Sequence, residues 1–526
     1  MRPSRGGVSP AAGAARRGKR FLGRFLAGRD GGTAVVFALA LIPLALVTLT
    51  AIDFHRASTV KSALQDAVDA ASLAAARSAA TSAGEIQVIG FRALQSNLKS
   101  YPDTKLTKAT FVLSEDGKVT GSADMAVTPL VANMFLGGPI VVGAEADVVR
   151  SNDKLEIVLV LDNTGSMAGT KIATLRTAAA NLVDTLSQAA ASNTEPDALK
   201  IGLVPFSMTV RVGSQYRNAN WIDGSARSST HDQIFDGAGN RFAMLNRMNL
   251  NWAGCVESRP YPHDVEESPP SAGNGDTLYV PYFAPDTPDT DRVSAFRWYN
   301  SENDYLPDGL NWGSSGYGNW FKHQGRTQKY GTSGLDTSGG KGPNAGCTMQ
   351  PIERLSSDTG DIKTAISNMV AVGNTNIPMG LIWGWHLLSP NAPFRDGAAY
   401  TDQDVTKIAI LMTDGDNVMG EYNSPNDSTY SALGYVWMRR LGLDVGSSGS
   451  QRTARMDQRL AELCSNMKAR GIVLYTVRVE VKTGSSSLLR NCASTPDNFY
   501  DVQNVADLNE AFNRIAGQIS RLRIAR

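Results

Sequence analysis

Cysteine and histidine are scarce, with four and five in 526 residues. No two cysteines form a CxxC pair, and the histidines (His55, His231, His263, His323, His386) show no metal-ligand spacing. That excludes the usual zinc and thiol redox patterns. An excess of one charge is missing too: 51 Lys and Arg against 50 Asp and Glu leave a formal net charge of +1. The whole chain therefore lacks the basic footprint of a nucleic-acid-binding protein. Only one hydrophobic run is long enough to cross a bilayer, which excludes a polytopic pump. Hydrophobic content of 42% and charged content of 19% are ordinary for a globular chain, and the length allows two or three domains.

The single long run is residues 31–52, GGTAVVFALALIPLALVTLTAI. At 1.5 Å per residue it spans a hydrocarbon core of about 30 Å. Residues 1–29 carry eight basic residues (Arg2, Arg5, Arg16, Arg17, Lys19, Arg20, Arg24, Arg29) and no acid. The positive-inside rule then predicts a cytoplasmic tail over 1–30, a transmembrane helix over 31–52, and everything after Asp53 outside. A signal peptide is the rival reading, but its apolar region is usually only about 7 to 15 residues. Alanine-rich residues 57–80 continue the helix, with Val60, Leu64 and Val68 on one face. A helix over 85–99 and three strands near 109–113, 119–127 and 140–149 complete a small α+β module over 53–150, in which nothing suggests chemistry.

From residue 151 strands and helices alternate. The pattern predicts a strand at 155–161, a helix at 171–188, a strand at 199–206, helices at 361–370 and 378–388, a strand at 407–413, a helix at 453–470, a strand at 472–480 and a last helix at 505–522. This is the signature of an α/β domain with a doubly wound, mostly parallel sheet. Residues 212–350 break it: they are loop-rich and show no sustained period, yet hold Trp221, Trp252, Trp298, Trp312 and Trp320. Linkers are poor in aromatics, so this is an ordered insertion with a mini-core, placed where it can overhang the sheet edge. Within it Asp286, Asp289 and Asp291 lack the glycine and glutamate of an EF-hand and read as a solvated loop. Outside the membrane the four cysteines form disulfides in one of three pairings. The favoured one joins Cys464 with Cys492 and Cys255 with Cys347, the second closing the base of the insertion.

The chemistry concentrates where the first strand ends. Leu155 to Leu161 is an apolar run of the kind buried on both faces, and it stops at Asp162-Asn163-Thr164-Gly165-Ser166. Strand carboxyl ends are where such sheets place ligands, and the oxygens of Asp162, Thr164 and Ser166 alternate along the departing loop. Hard oxygens converging on one point suit Mg²⁺ or a similar ion. The bland reading of the same residues is a helix N-cap.

Asp162 to Ser166 resembles the D-x-[ST]-x-S metal motif of von Willebrand factor A domains. Gly373-Asn374-Thr375-Asn376-Ile377 is similar to that family's loop with a distant threonine, and the strand Ile408 to Gly415, IAILMTDG, ends like its second acidic strand at Asp414. The resemblance implies one bound ion, Mg²⁺ or Mn²⁺ or Ca²⁺. Thr164 and Ser166 would bind it directly, Asp162 and Asp414 largely through water, and Thr375 either way. Asp416 and Asn417 are given no metal role. Neutral direct ligands leave the ion hungry for a partner's carboxylate, so the implied function is adhesion to a protein and not catalysis.

A second resemblance covers residues 24–80. Gly32 to Leu39, Ile52-Asp53 and Leu64 to Ala71 are similar to the start of TadE/TadG-like proteins of the tight-adherence (Flp pilus) system, whose TadG-like branch carries an A domain behind its anchor. It implies a single-pass protein of the bacterial inner membrane, with pilus or secretion-system components as partners. The glutamate usual near Val36 in pilins is missing, which favours a retained anchor. An enzyme reading competes, because DNTGS resembles the DKTGT motif of haloacid-dehalogenase-type phosphoryl-transfer enzymes and TDGDN distantly resembles their GDGxND. Asn163 stands where that motif has Lys, and Val418 where it has its second metal-binding Asp. A third reading is a structural A domain that binds no metal.

Overall fold

The structure, a computed structural model, describes residues 32–522 apart from 79, 81, 115–117, 131–137, 150–153, 192, 194, 238, 289–291, 295–296, 299–301, 309–316 and 482–485. The expected cytoplasmic tail, Asp289, Asp291 and Trp312 lie outside the described residues. The chain divides into two compact units, Met1–Arg150 and Ser151–Arg526.

In the first unit one helix, α1 (Gly32–Ala76), runs 45 residues with Pro43 inside it, or about 67 Å at 1.5 Å per residue. It is long and apolar enough to cross a membrane. Val35, Phe37, Leu44, Val47 and Phe54 are all exposed in the protein alone. From Ala57 onward the helix buries Val60, Leu64, Val68, Ala71 and Ala75, at the i+3/i+4 spacing that makes a core-facing stripe. That stripe packs on α2 (Ala83–Asn97) and an antiparallel sheet of β1 (Thr104–Leu113), β2 (Lys118–Val127) and β3 (Ile140–Val149), in that order. Asp53, only 2% exposed, accepts a hydrogen bond from the Leu130 N–H at 2.8 Å.

The ring of Phe111 is wedged between α2 and β2, at a place where both elements present glycine. A Cβ at Gly90 would overlap the Phe111 ring, and one at Gly121 would overlap Ser72 Oγ and come within 2.7 Å of the ring. Gly121→Val should therefore destabilise this unit by roughly 2–3 kcal/mol through overpacking. Limited proteolysis of the full chain checks this, and cleavage in residues 83–149 no faster than in wild type would refute it.

The second unit is organised around an eight-stranded sheet. Its strands are β4 (Lys154–Asp162), β5 (Leu199–Phe206), β6 (Val210–Arg211), β7 (Cys255–Val256), β8 (Glu353–Ser356), β9 (Val405–Thr413), β10 (Val473–Val479) and β11 (Phe499–Val502). The order is β11-β10-β9-β4-β5-β6-β7, with β8 pairing β5. Strands β11, β10, β9, β4 and β5 are mutually parallel, while β6, β7 and β8 join antiparallel. Every residue of β4 after Lys154 is buried, as a strand covered on both faces requires.

Alternation sorts these side chains into two cores. Ile157, Leu159, Ile410, Met412 and Val477 face α3 (Thr170–Ala190), α6 (Thr359–Ser367) and α10 (Leu508–Leu522). Val158, Val160, Val204, Ala409 and Leu411 face α7 (Ile377–Leu388), α8 (Gly449–Ala469) and the insertion. The first core belongs to an ordinary α/β domain. The second contains most of the insertion's buried hydrophobic residues, including Trp221, Trp252, Tyr279 and Phe283, together with Trp383 of α7.

The insertion is thus one wall of the main core and more than a satellite cluster. It contributes β7, α4 (Arg241–Arg247) and α5 (Tyr317–Gly325), and Trp320 is also buried. The solvated-loop expectation fails at Asp286: it is fully buried, accepts from the Tyr305 and Leu306 N–H groups at 2.6 and 2.8 Å, and pairs with Lys329 at 2.6 Å. Two backbone N–H groups and the Lys329 ammonium satisfy it.

Cys255 is joined to Cys347 and Cys464 to Cys492, with Cα separations of 5.9 and 5.2 Å, and no described cysteine is free. The first closes 92 residues of the insertion, where loop entropy in the unfolded chain predicts about 4.6 kcal/mol of stabilisation. The second ties α8 to α9 (Ser486–Cys492).

Candidate functional site

Parallel pairing puts the carboxyl ends of β4 and β9 side by side, since Leu161 is the partner of Met412. One residue further on, Asp162 leaves β4; two further on, Asp414 leaves β9. The Asp162 loop turns sharply through a single 3-10 turn, Gly165–Met167, before α3 begins. Within it the Thr164 N–H donates to Asp162 Oδ1 at 2.9 Å, and the hydroxyls of Thr164 and Ser166 lie 2.9 Å apart. Ser166 donates to Asp414 Oδ1 at 2.6 Å, and the Thr413 hydroxyl donates to Asp162 Oδ2 at 2.7 Å. Asp162, Thr164 and Asp414 are buried, while Gly165 and Ser166 are exposed, so the cluster opens to solvent on one side.

The Thr375 loop is brought alongside by backbone contacts. Gly165 N–H donates to Gly373 O at 2.9 Å, Val372 N–H to Asn163 O at 2.8 Å, and Val418 N–H to Thr375 O at 2.8 Å. Asn417 Oδ1 accepts from the Ile377 N–H at 2.9 Å, and its Nδ2 donates to Asp457 of α8 at 2.9 Å. Three loops from separate parts of the sequence are therefore locked together. Among the described residues the Thr375 hydroxyl joins none of the side-chain hydrogen bonds that link Asp162, Thr164, Ser166 and Asp414.

Electrostatics mark this as a place for positive charge. Burial, and then the charge of Asp414, push the Asp162 carboxyl up from 3.8 to about 6, against hydrogen bonds from Thr164 and Thr413. Asn163 Oδ1 and Ser207 Oγ at the same sheet edge are buried without a hydrogen-bond partner. The cation present is Lys171, whose Nζ lies 2.6 Å from Asp414 Oδ2 and 3.9 Å from Glu480 Oε2. Lys171, Thr413 and Glu480 were not picked out from the sequence, whereas Asn417 was read there as ordering its loop, as its bonds to Ile377 and Asp457 do. One signal existed: a lysine in the first turn of α3 opposes the helix dipole and needs an acid nearby.

The oxygen set fits a hard divalent ion in kind, with two carboxylates and two hydroxyls on one spot. Among the described residues no group of three or more His, Cys, Asp and Glu side chains gathers to hold a metal, so any ion here would rely on hydroxyls. A grouping that looks hydrolytic is structural: His231 Nδ1 lies 2.9 Å from Asp223 Oδ2, and its Nε2 accepts from the Arg241 N–H at 3.1 Å. With both ring nitrogens engaged and the ring fully buried, it has no free base to offer.

The second unit thus presents a doubly wound sheet with two acidic loops at its carboxyl edge. Residues 31–78 match the family described as putative Flp pilus-assembly TadE/G-like. Comparison with curated proteins gives no match. Among solved structures the chain is similar to the pilus adhesin SpaC of Lactobacillus rhamnosus GG, at 12% identity and a TM-score of 0.31, over 80% of this chain and 35% of that one. It is similar also to the vWF domain of the type V pili tip protein Mfa5 of Porphyromonas gingivalis, at 11% identity and a TM-score of 0.31, over 71% of this chain and 97% of that one. A third is the mussel byssus proximal thread matrix protein 1 with a zinc-occupied MIDAS motif, at 11% identity and a TM-score of 0.28, over 71% and 47%. The chain spans about a third of the length of SpaC.

Proposed function

We propose that this is a membrane-anchored pilus-assembly or adhesion protein whose A domain grips a protein partner through one divalent ion. The observation that carries the reading is the convergence of Asp162, Thr164, Ser166 and Asp414 at one sheet edge, with the Asp162 carboxyl raised to about 6. Thr164 and Ser166 would hold Mg²⁺, Mn²⁺ or Ca²⁺ by their hydroxyls, Asp162 and Asp414 would hold its water, and Thr375 would complete the set. When bound, the ion would supply an electrophilic position for a carboxylate of the partner. This chain's part is to fix the loop through the bonds that Asp162 accepts from the Thr164 N–H and the Thr413 hydroxyl, to aim Ser166 through Asp414, and to leave Ser166 and Gly165 open to the visitor. Pilus or secretion-system components are the expected partners, a reading supported by the match of residues 31–78 to a putative Flp pilus-assembly family. Calorimetric titration of the full chain in detergent with Mg²⁺ and Mn²⁺ tests the reading; the absence of any binding would sink it.

The expected topology is a cytoplasmic N-terminus, α1 through the inner membrane and the A domain outside. The disulfides leave no described thiol free, so Ser82→Cys adds a single reactive one. In intact cells opened at the outer membrane, Ser82→Cys should react with a membrane-impermeant maleimide. Protection there would reverse the orientation.

A metal-free structural A domain is the second reading, favoured by Lys171 already pairing with Asp414. Phosphoryl transfer fits less well, because both oxygens of Asp162 accept hydrogen bonds and the residue is fully buried. A nucleophile must instead present an oxygen to phosphorus.

A further inference from the structure

Asp414 has both carboxylate oxygens in use. Oδ1 accepts from Ser166, a member of the candidate ion site, and Oδ2 accepts from Lys171, each at 2.6 Å. The Asp414 side chain is fully buried and that of Lys171 is 25% exposed, so the lysine closes over the acid from the solvent side. Its position on α3 is costly by itself. The N-terminal turn of a helix carries partial positive charge, which repels a cation, and the N-cap, Gly169, offers no side-chain hydrogen bond. The lysine is held there by acids, and there are two. Glu480 Oε2 stands 3.9 Å from Lys171 Nζ, while its Oε1 accepts from the Val505 N–H at 3.0 Å and so fixes the carboxylate in place.

We propose that Lys171 is a tethered counter-cation, which neutralises Asp414 while the site holds no ion and passes to Glu480 when a divalent ion enters. Ion binding is then an exchange of one positive charge for another. An ammonium and a dication a few Å apart in a partly buried site repel strongly, so both cannot use Asp414. The second acid gives the displaced lysine somewhere to go without leaving its helix turn. The site's affinity is accordingly set by the balance between two acids and one lysine as well as by the oxygen ligands. The inference rests on the metal reading above and adds a residue that tunes it.

The test is Mg²⁺ titration of full-length protein in detergent, read by calorimetry, with thermal unfolding of each metal-free variant beside it. Lys171→Met should bind Mg²⁺ roughly tenfold tighter than wild type, equivalent to about 1.4 kcal/mol, and should unfold at a lower temperature when metal-free. Lys171→Gln, which keeps a donor for Asp414 without the charge, should also bind tighter and guards against a misfolded Met variant. Glu480→Gln should bind more weakly, and that loss should vanish in the Lys171→Met background, as coupled residues require. If wild type binds Mg²⁺ and neither lysine variant binds tighter, the exchange is overturned while the metal reading stands. A Glu480→Gln loss that persists undiminished without the lysine overturns the hand-over to Glu480. If neither wild type nor the lysine variants bind, both readings fall. Binding by the lysine variants alone supports the exchange in its strongest form.

Discussion

Asp162→Ala is expected to abolish the Mg²⁺-induced rise in melting temperature of the full chain, and with it cation-dependent capture of a carboxylate-bearing partner, while the protein still folds. The second half of that statement needs magnitudes, because Asp162 is fully buried. Its folded value of about 6 lies above the ordinary 3.8. A carboxyl raised in this way favours folding while protonated, below about 3.8, and that contribution is lost as pH rises through about 6. At neutral pH the charged form therefore costs on the order of 2–3 kcal/mol. Alanine removes this cost but leaves the Thr164 N–H without its acceptor, at about 1–3 kcal/mol, while the Thr413 hydroxyl keeps a second acceptor in Gly415 O at 3.2 Å. The terms offset, so the metal-free melting temperature should move by no more than a few degrees. The ligand-dependent shift follows RT ln(1 + [L]/Kd) and disappears with the site. In wild type the same shift should weaken below about pH 6, where the ion must displace a proton from Asp162. Unchanged capture by the variant, or by wild type in EDTA, would count against the ion.

Much of this arrangement was legible from residues because parallel strands advertise themselves. The runs that became β4 and β9 are apolar at consecutive positions, which only a strand covered on both faces tolerates, and each ends in an acid. In-register pairing of Leu161 with Met412 then brings both acids to one edge. The insertion and the short strands that flank it were harder to read for a physical reason. Strands β6 and β7 are two residues long and β8 is four, too short for period-2 alternation to be counted. β6 and β8 form on the backbone groups that β5 offers, β7 forms on β6, and Trp221, Trp252 and Tyr279 pack in the same core. Lys171 was missed because a lone lysine in a helix reads as surface. Its partner Asp414 lies 243 residues away in sequence, beyond the reach of any local pattern.

The buried charges of the insertion were equally silent, and the largest loss of stability is expected there. Glu257 follows β7 and is fully buried, as is Arg241 of α4. Arg241 Nη1 pairs with Glu257 Oε1, Arg440 Nη1 reaches Glu257 Oε2 at 2.7 Å, and the Tyr430 hydroxyl donates to the same carboxylate. Arg241 further donates to the carbonyls of His231 and Pro281 at 2.9 Å each, so its guanidinium cannot swing out to water. Burial pushes the Glu257 carboxyl up, but the charges of Arg241 and Arg440 outweigh it and hold the group below its usual 4.5. A depressed acid stabilises the fold above its unfolded value, and that stability is lost as pH falls below about 4.5 through the folded value. Glu257→Gln keeps the shape and removes the charge, leaving two guanidiniums facing a neutral amide. A buried pair broken from one side costs about 3–5 kcal/mol, whereas replacing the whole group by apolar side chains is often close to neutral. The loss should be read in guanidinium unfolding, and hydrogen exchange should place it in residues 212–350 even with the Cys255–Cys347 link intact. A change below about 1 kcal/mol would mean that water reaches Glu257, and that the insertion packs on the sheet more loosely than its buried aromatic core requires.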